Sequence, residues 1–485
     1  MQDQQDQQDH HKLFIDGAWT APQGTERLEV FSPATEERIG SVPLASSADA
    51  DRAVAAARRA FDDGGWTGLD VKERAAAVGR LADAVTARAD AFVDVLTAEV
   101  GLPRATLPAG QIAKTQGVFA AYAELAERYP WAETRDGSRG RSLRVHRRPV
   151  GVVVAIVPWN APLFISALKL APALIAGATV VLKPSEEAPL HAQLLAECVR
   201  DAGLPPGVLN ILPASAEVSE HLIRHPAVDK VSFTGSTAVG RRIGELCGHD
   251  LRRCTLELGG KSAALLLDDL EPTADTAKAL IMGAMANSGQ ICAAQARILV
   301  PRRRHRQMVE ALAEAVEALR VGDPEDTATQ IGPVISERQR DRVERLVSLG
   351  RSQGARLVHG GTRAGHDRGW YVEPTLFDEV APDMAIAREE IFGPVAAVLA
   401  YDDEDQAVSL ANDSDYGLAG AVWSTDPDRA EQVAGRFRAG SVAVNSPSPL
   451  DPFGPFGGFK QSGLGREGGP EGFDAYIEYQ TIVRP

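Results

Sequence analysis

Val150-Gly151-Val152-Val153-Val154-Ala155-Ile156-Val157-Pro158-Trp159-Asn160 is the stretch on which the fold turns. Its first eight residues form an apolar run dominated by β-branched side chains. A half-buried strand alternates apolar with polar residues, whereas an unbroken run reads as a parallel strand covered on both faces. Pro158 closes the run, because proline has no N–H to give a sheet ladder. An apolar helix from Leu163 is expected to follow.

Working outward, the same strand-to-helix alternation repeats. Residues 178–182 read as a strand, followed by Lys183-Pro184-Ser185-Glu186 and a helix to Ala202. Strands are expected at 208–212 and 230–234, the latter running into Gly235-Ser236-Thr237-Ala238-Val239-Gly240 and another helix. This alternation predicts a doubly wound α/β domain whose ligands bind at the carboxyl ends of the strands. After Glu257 the pattern restarts with strands at 263–267, 297–300 and 395–400 and helices at 306–319 and 337–350, which predicts a second α/β domain. Upstream, 13–19 reads as a hairpin turning at Asp16-Gly17, and 47–61, 71–100 and 111–128 carry helical periodicity. Residues 142–148 alternate as an exposed strand in need of a partner.

The bulk properties narrow the function classes. A chain of 485 residues with 44% hydrophobic and 24% charged residues has the composition of an ordinary soluble globular protein. A net charge of −15 argues against a nucleic-acid surface, which needs clustered Lys and Arg. The four cysteines make neither a disulfide framework nor a C-x-x-C zinc pair, so no metal is expected and a reducing cytoplasm fits. The Gln/Asp-rich residues 1–11 read as a disordered tail, and no apolar run is long enough for a membrane helix.

Chemistry is concentrated in four motifs. Asn287-Ser288-Gly289-Gln290-Ile291-Cys292 puts a cysteine in a turn-forming stretch, where the backbone can bend tightly around a thiol. Upstream stands Glu257-Leu258-Gly259-Gly260-Lys261-Ser262, a carboxylate before a glycine pair. Downstream come Glu389-Glu390-Ile391-Phe392-Gly393-Pro394 and Pro455-Phe456-Gly457-Gly458-Phe459-Lys460. A nucleophile, a base and glycine-rich loops in this order resemble the aldehyde dehydrogenase superfamily, from about Leu13 to the C-terminus.

The resemblance implies two doubly wound α/β domains, a Rossmann-like NAD-binding one (12–128 and 149–257) and a catalytic one (258–467). A small β oligomerisation segment (129–148 and 468–485) would support a homodimer or homotetramer. It implies that Cys292 attacks an aldehyde carbonyl, that Asn160 stabilises the oxyanion, and that Glu257 activates the water that hydrolyses the thioester. Lys169 and Glu467 match a proton-exit pair of the family, although an ordinary structural salt bridge reads as well. NAD would be held by Val157, Pro158, Trp159, Lys183, Ser185, Glu186, Phe233, Gly235, Ser236, Gly240, Leu258, Glu390 and Phe392. The Glu186 carboxylate disfavours a 2′-phosphate and so favours NAD, with NADP the alternative. Positions matching the aldehyde tunnel are Ala161, Ile165, Leu168, Ile291, Ala293, Leu450 and Phe456; their apolar character suggests medium-chain, terpenoid or aromatic aldehydes.

Three other readings stay open on the sequence. One keeps the fold but uses NADP or a semialdehyde. Another is a non-catalytic NAD-binding relative, which would have no need of Cys292 and Glu257. The third, a cysteine hydrolase, leaves Lys183, Glu390 and the Gly235 turn unexplained.

Overall fold

The computed structural model describes residues 9–485. The opening stretch becomes the strand Val152–Ile156, buried along its whole length, in the middle of an eight-stranded sheet. Across that sheet the order is Ala18–Thr20, Leu13–Ile15, Leu209–Ile211, Thr179–Lys183, Val152–Ile156, Lys230–Thr234, Arg253–Glu257 and Gly463–Leu464. The five strands from Leu209–Ile211 to Arg253–Glu257 are parallel, and the strands flanking them pair antiparallel. Chain order reverses at Val152–Ile156: its neighbours are the next strand on one side and Lys230–Thr234 on the other. Connections leave in opposite directions at such a point, which opens a crevice beyond the strand ends.

Successive residues of the central strand face opposite cores, as the two-residue period of a strand demands. Val153 and Ala155 pack into one apolar cluster with the helix Pro162–Ala176, and Val152, Val154 and Ile156 into another with Ser47–Asp62 and Thr237–His249. Pro162–Ala176 starts with proline, whose fixed φ suits a first turn, and stops at Gly177 with φ 100°. At the sheet edge the 13–20 hairpin turns through Asp16 (φ 56°) and Gly17 (φ 73°), and Asn210 Oδ1 accepts the Asp16 N–H at 2.8 Å.

A seven-stranded sheet follows, ordered Arg356–His359, Thr375–Asp378, Val395–Tyr401, Arg297–Pro301, Ala263–Leu266, Ala419–Trp423 and Ser441–Val444. All its pairings are parallel except the first. Here too chain order reverses at one strand, Ala263–Leu266, which has the next strand Arg297–Pro301 on one side and Ala419–Trp423 on the other, and the Cys292 loop leads directly into Arg297–Pro301. A three-stranded sheet places Ser142–Pro149 between Ile477–Arg484 and Ala132–Asp136, all antiparallel.

Two local differences from the sequence reading have physical causes. The helical stretch 71–100 is two helices, Val71–Thr86 and Ala89–Val100, broken at Arg88 (φ −112°, ψ 21°). The expected tail 1–11 falls largely outside the described residues, but Asp9 and His10 are not free. Asp9 bridges Ser41 and accepts from Arg38 at 2.7 Å and from the Ser41 hydroxyl at 2.9 Å, while the His10 N–H donates to Ser41 O. Among the described residues, no helix is long and apolar enough to cross a membrane.

Candidate active site

Beyond the helix Ala274–Met285 the chain makes a sharp left-handed passage through Asn287 (φ 55°), Ser288 (φ 53°) and Gly289 (φ 71°). Non-glycine residues in this region cost about 1–3 kcal/mol each, so neighbours must hold them. Asn287 Nδ2 donates to Asn160 O at 2.9 Å, and Ser288 Oγ to Gly332 O at 2.9 Å. Gln290 is clamped as well: its Oε1 accepts the Ile335 N–H at 2.9 Å, and its own carbonyl accepts from Asn160 Nδ2 at 2.8 Å. The strained turn therefore delivers Cys292 to the side of Asn160, where the first sheet ends.

The thiol sits in a small apolar cluster. Ala293, Leu418, Ala419 and Phe456 are buried there, with Ile291, Cys292 and Leu450 packed against them. Burial pushes the Cys292 thiol up to about 12, aided by the negative charges of Glu390 and Glu257 and opposed by the N–H groups of Ala293 and Cys292 itself. A thiol so placed is protonated at neutral pH and needs a base to become a nucleophile.

Glu257 is the candidate for that group. It ends the strand Arg253–Glu257, is only 3% exposed, and neither carboxylate oxygen has a hydrogen-bond partner. Burial, then the charge of Glu467, raises its pKa well above the carboxylate range, against the pull of Lys169 and Arg466. An unpartnered buried carboxylate is costly, and its survival in a cleft marks a group kept for chemistry. Glycine neighbours make room: a Cβ on Gly260 would lie 2.4 Å from Cys292 O, and one on Gly259 2.4 Å from Glu390 Oε2.

Lys169 and Glu467, whose charges act on Glu257, are themselves paired: Lys169 Nζ donates to Glu467 Oε1 at 2.6 Å and to Ser232 Oγ at 3.2 Å, all buried. Glu467 and Phe456 exchange both backbone hydrogen bonds, which ties this ion pair to the apolar cluster around the thiol.

The remaining motif residues line the carboxyl ends of the first sheet. Val157 N–H donates to Lys183 O at 3.1 Å; Lys183 is buried and its Nζ stands 3.9 Å from Glu186 Oε1. Burial lowers the Lys183 pKa, against the opposing pull of Glu186 and Glu187. Ser185 Oγ turns to Glu187 at 2.6 Å. Gly235, next to Phe233, donates its N–H to Glu257 O, and Ser236 caps the helix Thr237–His249 by accepting from Val239 N. Gly240 lets that helix approach Leu258, whose Cδ2 would lie 2.3 Å from an added Cβ. Beside Pro158, the Trp159 ring meets Phe392 edge-on with centroids 5.4 Å apart. Glu390 Oε1 accepts the Gly260 N–H at 3.0 Å, and burial pushes this carboxylate up to about 7.

The tunnel candidates fall into two groups. Ile291, Ala293, Leu450 and Phe456 surround the thiol, whereas Ala161, Ile165 and Leu168 belong to the cluster of the helix Pro162–Ala176. The Asn160–Gln290 hydrogen bond joins the two. Sequence reading missed three contributors. Phe164 shares a helix face with Ala161 and Leu168, and the Lys114 ammonium stands 5.9 Å from its ring centroid. Gln339 Nε2 donates to Ile391 O (3.1 Å) and Phe392 O (2.8 Å), and Arg342 to Glu390 O (2.6 Å), fixing Phe392 at φ 58°. Nothing local in the sequence marks Gln339 or Arg342.

The chain that brings this thiol, an unpartnered carboxylate and Asn160 to one crevice matches known proteins over nearly its whole length. The sequence model of the aldehyde dehydrogenase family matches residues 19–482. The chain belongs to the aldehyde dehydrogenase family. Among curated relatives, geranial dehydrogenase of Castellaniella defragrans is 47% identical over 474 residues, covering 98% of each chain. Among solved structures, a Mycobacterium tuberculosis aldehyde dehydrogenase complexed with NAD+ superposes with a TM-score of 0.96 at 46% identity, again covering 98% of each chain. An aldehyde dehydrogenase C mutant of Pseudomonas syringae, in complex with NAD+ and octanal, gives 0.94 at 41% identity, covering 97% of this chain and 96% of that one.

Proposed function

We propose that this aldehyde dehydrogenase oxidises an apolar, terpenoid- or medium-chain-type aldehyde to its carboxylic acid with NAD, through a thioester on Cys292. The observation that carries the reading is the setting of the thiol: an apolar cluster on one side and an unpartnered, buried Glu257 carboxylate on the other. The aldehydes named for two relatives, geranial in the name of one and octanal bound to the other, are apolar, of the kind such a cluster accepts.

Glu257 takes the proton of Cys292, and the thiolate adds to the carbonyl carbon to give a thiohemiacetal. Asn160 Nδ2 spends one hydrogen on Gln290 O and offers the other, together with the Cys292 N–H, to the new oxyanion. NAD, when bound, supplies the hydride acceptor. The residues that fit it are Lys183 and Glu186 for the adenosine ribose, the Gly235–Ser236 turn at a helix N-terminus for the pyrophosphate, and Glu390 and Phe392 for the nicotinamide half. The buried hydroxyls of Thr234 and Thr237 beside that turn have no partner within the protein, as expected of a crevice shaped for a polar ligand. Hydride loss from the thiohemiacetal leaves a thioester on Cys292, and Glu257, having passed on the first proton, removes one from water as it attacks that thioester; the acid leaves and a proton returns to the Cys292 sulfur. The buried Lys169–Glu467 pair, whose charges act on Glu257, supports a route for passing that proton on.

The three-stranded sheet supports assembly with a second copy. Its edge strand Ile477–Arg484 leaves Tyr479, Ile482 and Val483 exposed, and such an edge is completed by pairing with a second copy.

The test is NADH formation with geranial, octanal and succinic semialdehyde, given NAD or NADP, beside Cys292→Ala. Turnover of the two apolar aldehydes with NAD, abolished in Cys292→Ala, is the expected result. A preference of tenfold or more for the semialdehyde would overturn the substrate reading.

A further inference from the structure

The helix Thr237–His249 runs back along the strand Arg253–Glu257, and the two meet in regular steps. Gly240 faces Leu258, and one turn later Gly244 faces Leu256, whose Cδ1 would lie 3.6 Å from an added Cβ. Three residues further along the helix is Cys247, and two residues back along the strand is Cys254, the next pair of the same series. Both belong to the apolar cluster on this face of the sheet, and the two thiols hydrogen-bond to each other. The Arg252 N–H donates to Cys247 O at 2.8 Å and closes the turn between them.

The two sulfurs are not equivalent. Cys247 is 1% exposed, whereas Cys254 is half-buried at the open end of its strand. The hydrogen bond to Cys254, and then burial, hold the Cys247 proton in place. The same bond pulls the Cys254 thiol down to about 7 against burial, with help from the Lys230 ammonium. Lys230 is buried on the adjoining strand and hydrogen-bonds to a hydroxyl, Thr255 Oγ1 at 2.7 Å, not to a carboxylate. Among the charges acting on it, that of Cys254 comes first, ahead of Lys169, which repels it, and Glu467. A partly accessible thiol near 7 is substantially thiolate at neutral pH, and the thiolate is the form that oxidants attack. A second thiol already in contact with it is the arrangement that converts such an attack into a disulfide.

We propose that Cys254 and Cys247 form an oxidative modification site for hydroperoxides, closing to a disulfide that ties the helix Thr237–His249 to the strand carrying Glu257. The Cys254 thiolate attacks one peroxide oxygen; an S–O bond forms, the O–O bond breaks, and the leaving alkoxide or hydroxide takes up the proton Cys254 had released. The Cys247 sulfur then attacks the sulfenic sulfur; the S–S bond forms, the S–O bond breaks, and the oxygen leaves as water with the Cys247 proton. Two thiols lose two electrons and the peroxide gains them. Neither sulfur belongs to the aldehyde site, so the pair reacts whichever aldehyde the cleft takes.

Wild-type enzyme is treated with hydrogen peroxide beside glutathione as an internal standard, then alkylated in denaturant, digested with trypsin and weighed by mass spectrometry. Peptides 243–252 and 254–261 should appear joined, two hydrogens lighter than their sum, and dithiothreitol should release both as thiols. The rate of joining should rise with pH through about 7, where Cys254 ionises, and not in the higher range of an ordinary thiol. In Cys247→Ser the Cys254 sulfur should stop at the sulfenic acid, which dimedone captures; in Cys254→Ser, Cys247 should stay a thiol. Both cysteines still alkylatable once the glutathione is spent would overturn the proposal. So would Cys254 carried to sulfinic acid, or paired elsewhere, while Cys247 stays free. If either variant does not fold, the wild-type peptide map decides alone.

Discussion

Replacing Glu257 with glutamine separates its work as a base from any structural role. The carboxylate has no hydrogen bond to lose, and glutamine keeps its shape. The variant's folding stability should therefore lie within about 1 kcal/mol of wild type, since the usual penalty for stranding a partner does not arise. Catalysis should respond differently. A positioned general base contributes about 10²–10⁴ in rate, equivalent to about 3–5 kcal/mol of barrier. The loss should fall hardest on thioester hydrolysis, so that one equivalent of NADH still forms, more slowly than in wild type because Cys292 has lost its proton acceptor, while steady-state turnover collapses.

Stopped-flow absorbance of NADH, with enzyme at micromolar concentration, reads both phases at once. In the wild-type protein the same trace against pH should rise through a limb displaced above the ordinary carboxylate range. Burial and Glu467 hold the Glu257 proton, and only the deprotonated form acts. Turnover of Glu257→Gln at the wild-type rate would refute the assignment. A variant that gives neither burst nor turnover, while still folded, would shift the base's main work from the thioester to the Cys292 thiol.

Two further predictions follow from buried charge. Glu390 is pushed up to about 7 from an ordinary value of 4.5, so the folded protein keeps a proton that the unfolded chain has lost. The stabilisation is complete below about pH 4.5 and disappears as pH rises through about 7. Urea midpoints between pH 5 and 8 should fall more steeply for wild type than for Glu390→Gln, and parallel curves would count against the reading. Breaking the Lys169–Glu467 pair by Lys169→Met or Glu467→Gln should cost about 3–5 kcal/mol each, because the survivor is left buried and unpaired. The double variant should cost clearly less than the sum of the two, and additive losses in urea denaturation would show that the groups are not coupled.

What was legible in the sequence is what local chemistry encodes. The strand Lys230–Thr234 is read to the residue, because Val231 and Phe233 alternate with polar neighbours and a glycine turn closes it. The hairpin at Asp16-Gly17 is as plain, since few other residues adopt two successive positive φ values. The strands Thr375–Asp378, Ala419–Trp423 and Ser441–Val444 escaped notice for the opposite reason. Ala-Gly-Ala-Val-Trp has too little β-branching to stand out, and it is a strand only because Ala263–Leu266 and Ser441–Val444 pair with it from either side.

The site divides along the same line. Glu257 and Cys292 are announced by glycines, and the structure gives the physical reason: Gly259 and Gly260 stand where a single methyl group would strike Glu390 or the Cys292 carbonyl. A glycine there records in the sequence the presence of a neighbour far along the chain. Gln339 and Arg342 leave no such trace, for they reach the 390–392 carbonyls by long flexible side chains that need nothing from the residues around them. Close approach constrains residue type and so can be read; contact made at the end of a long side chain does not. Lys261 belongs to the second class. It sits inside a legible motif, yet its motif neighbours say nothing about its buried ammonium, which has no hydrogen-bond partner.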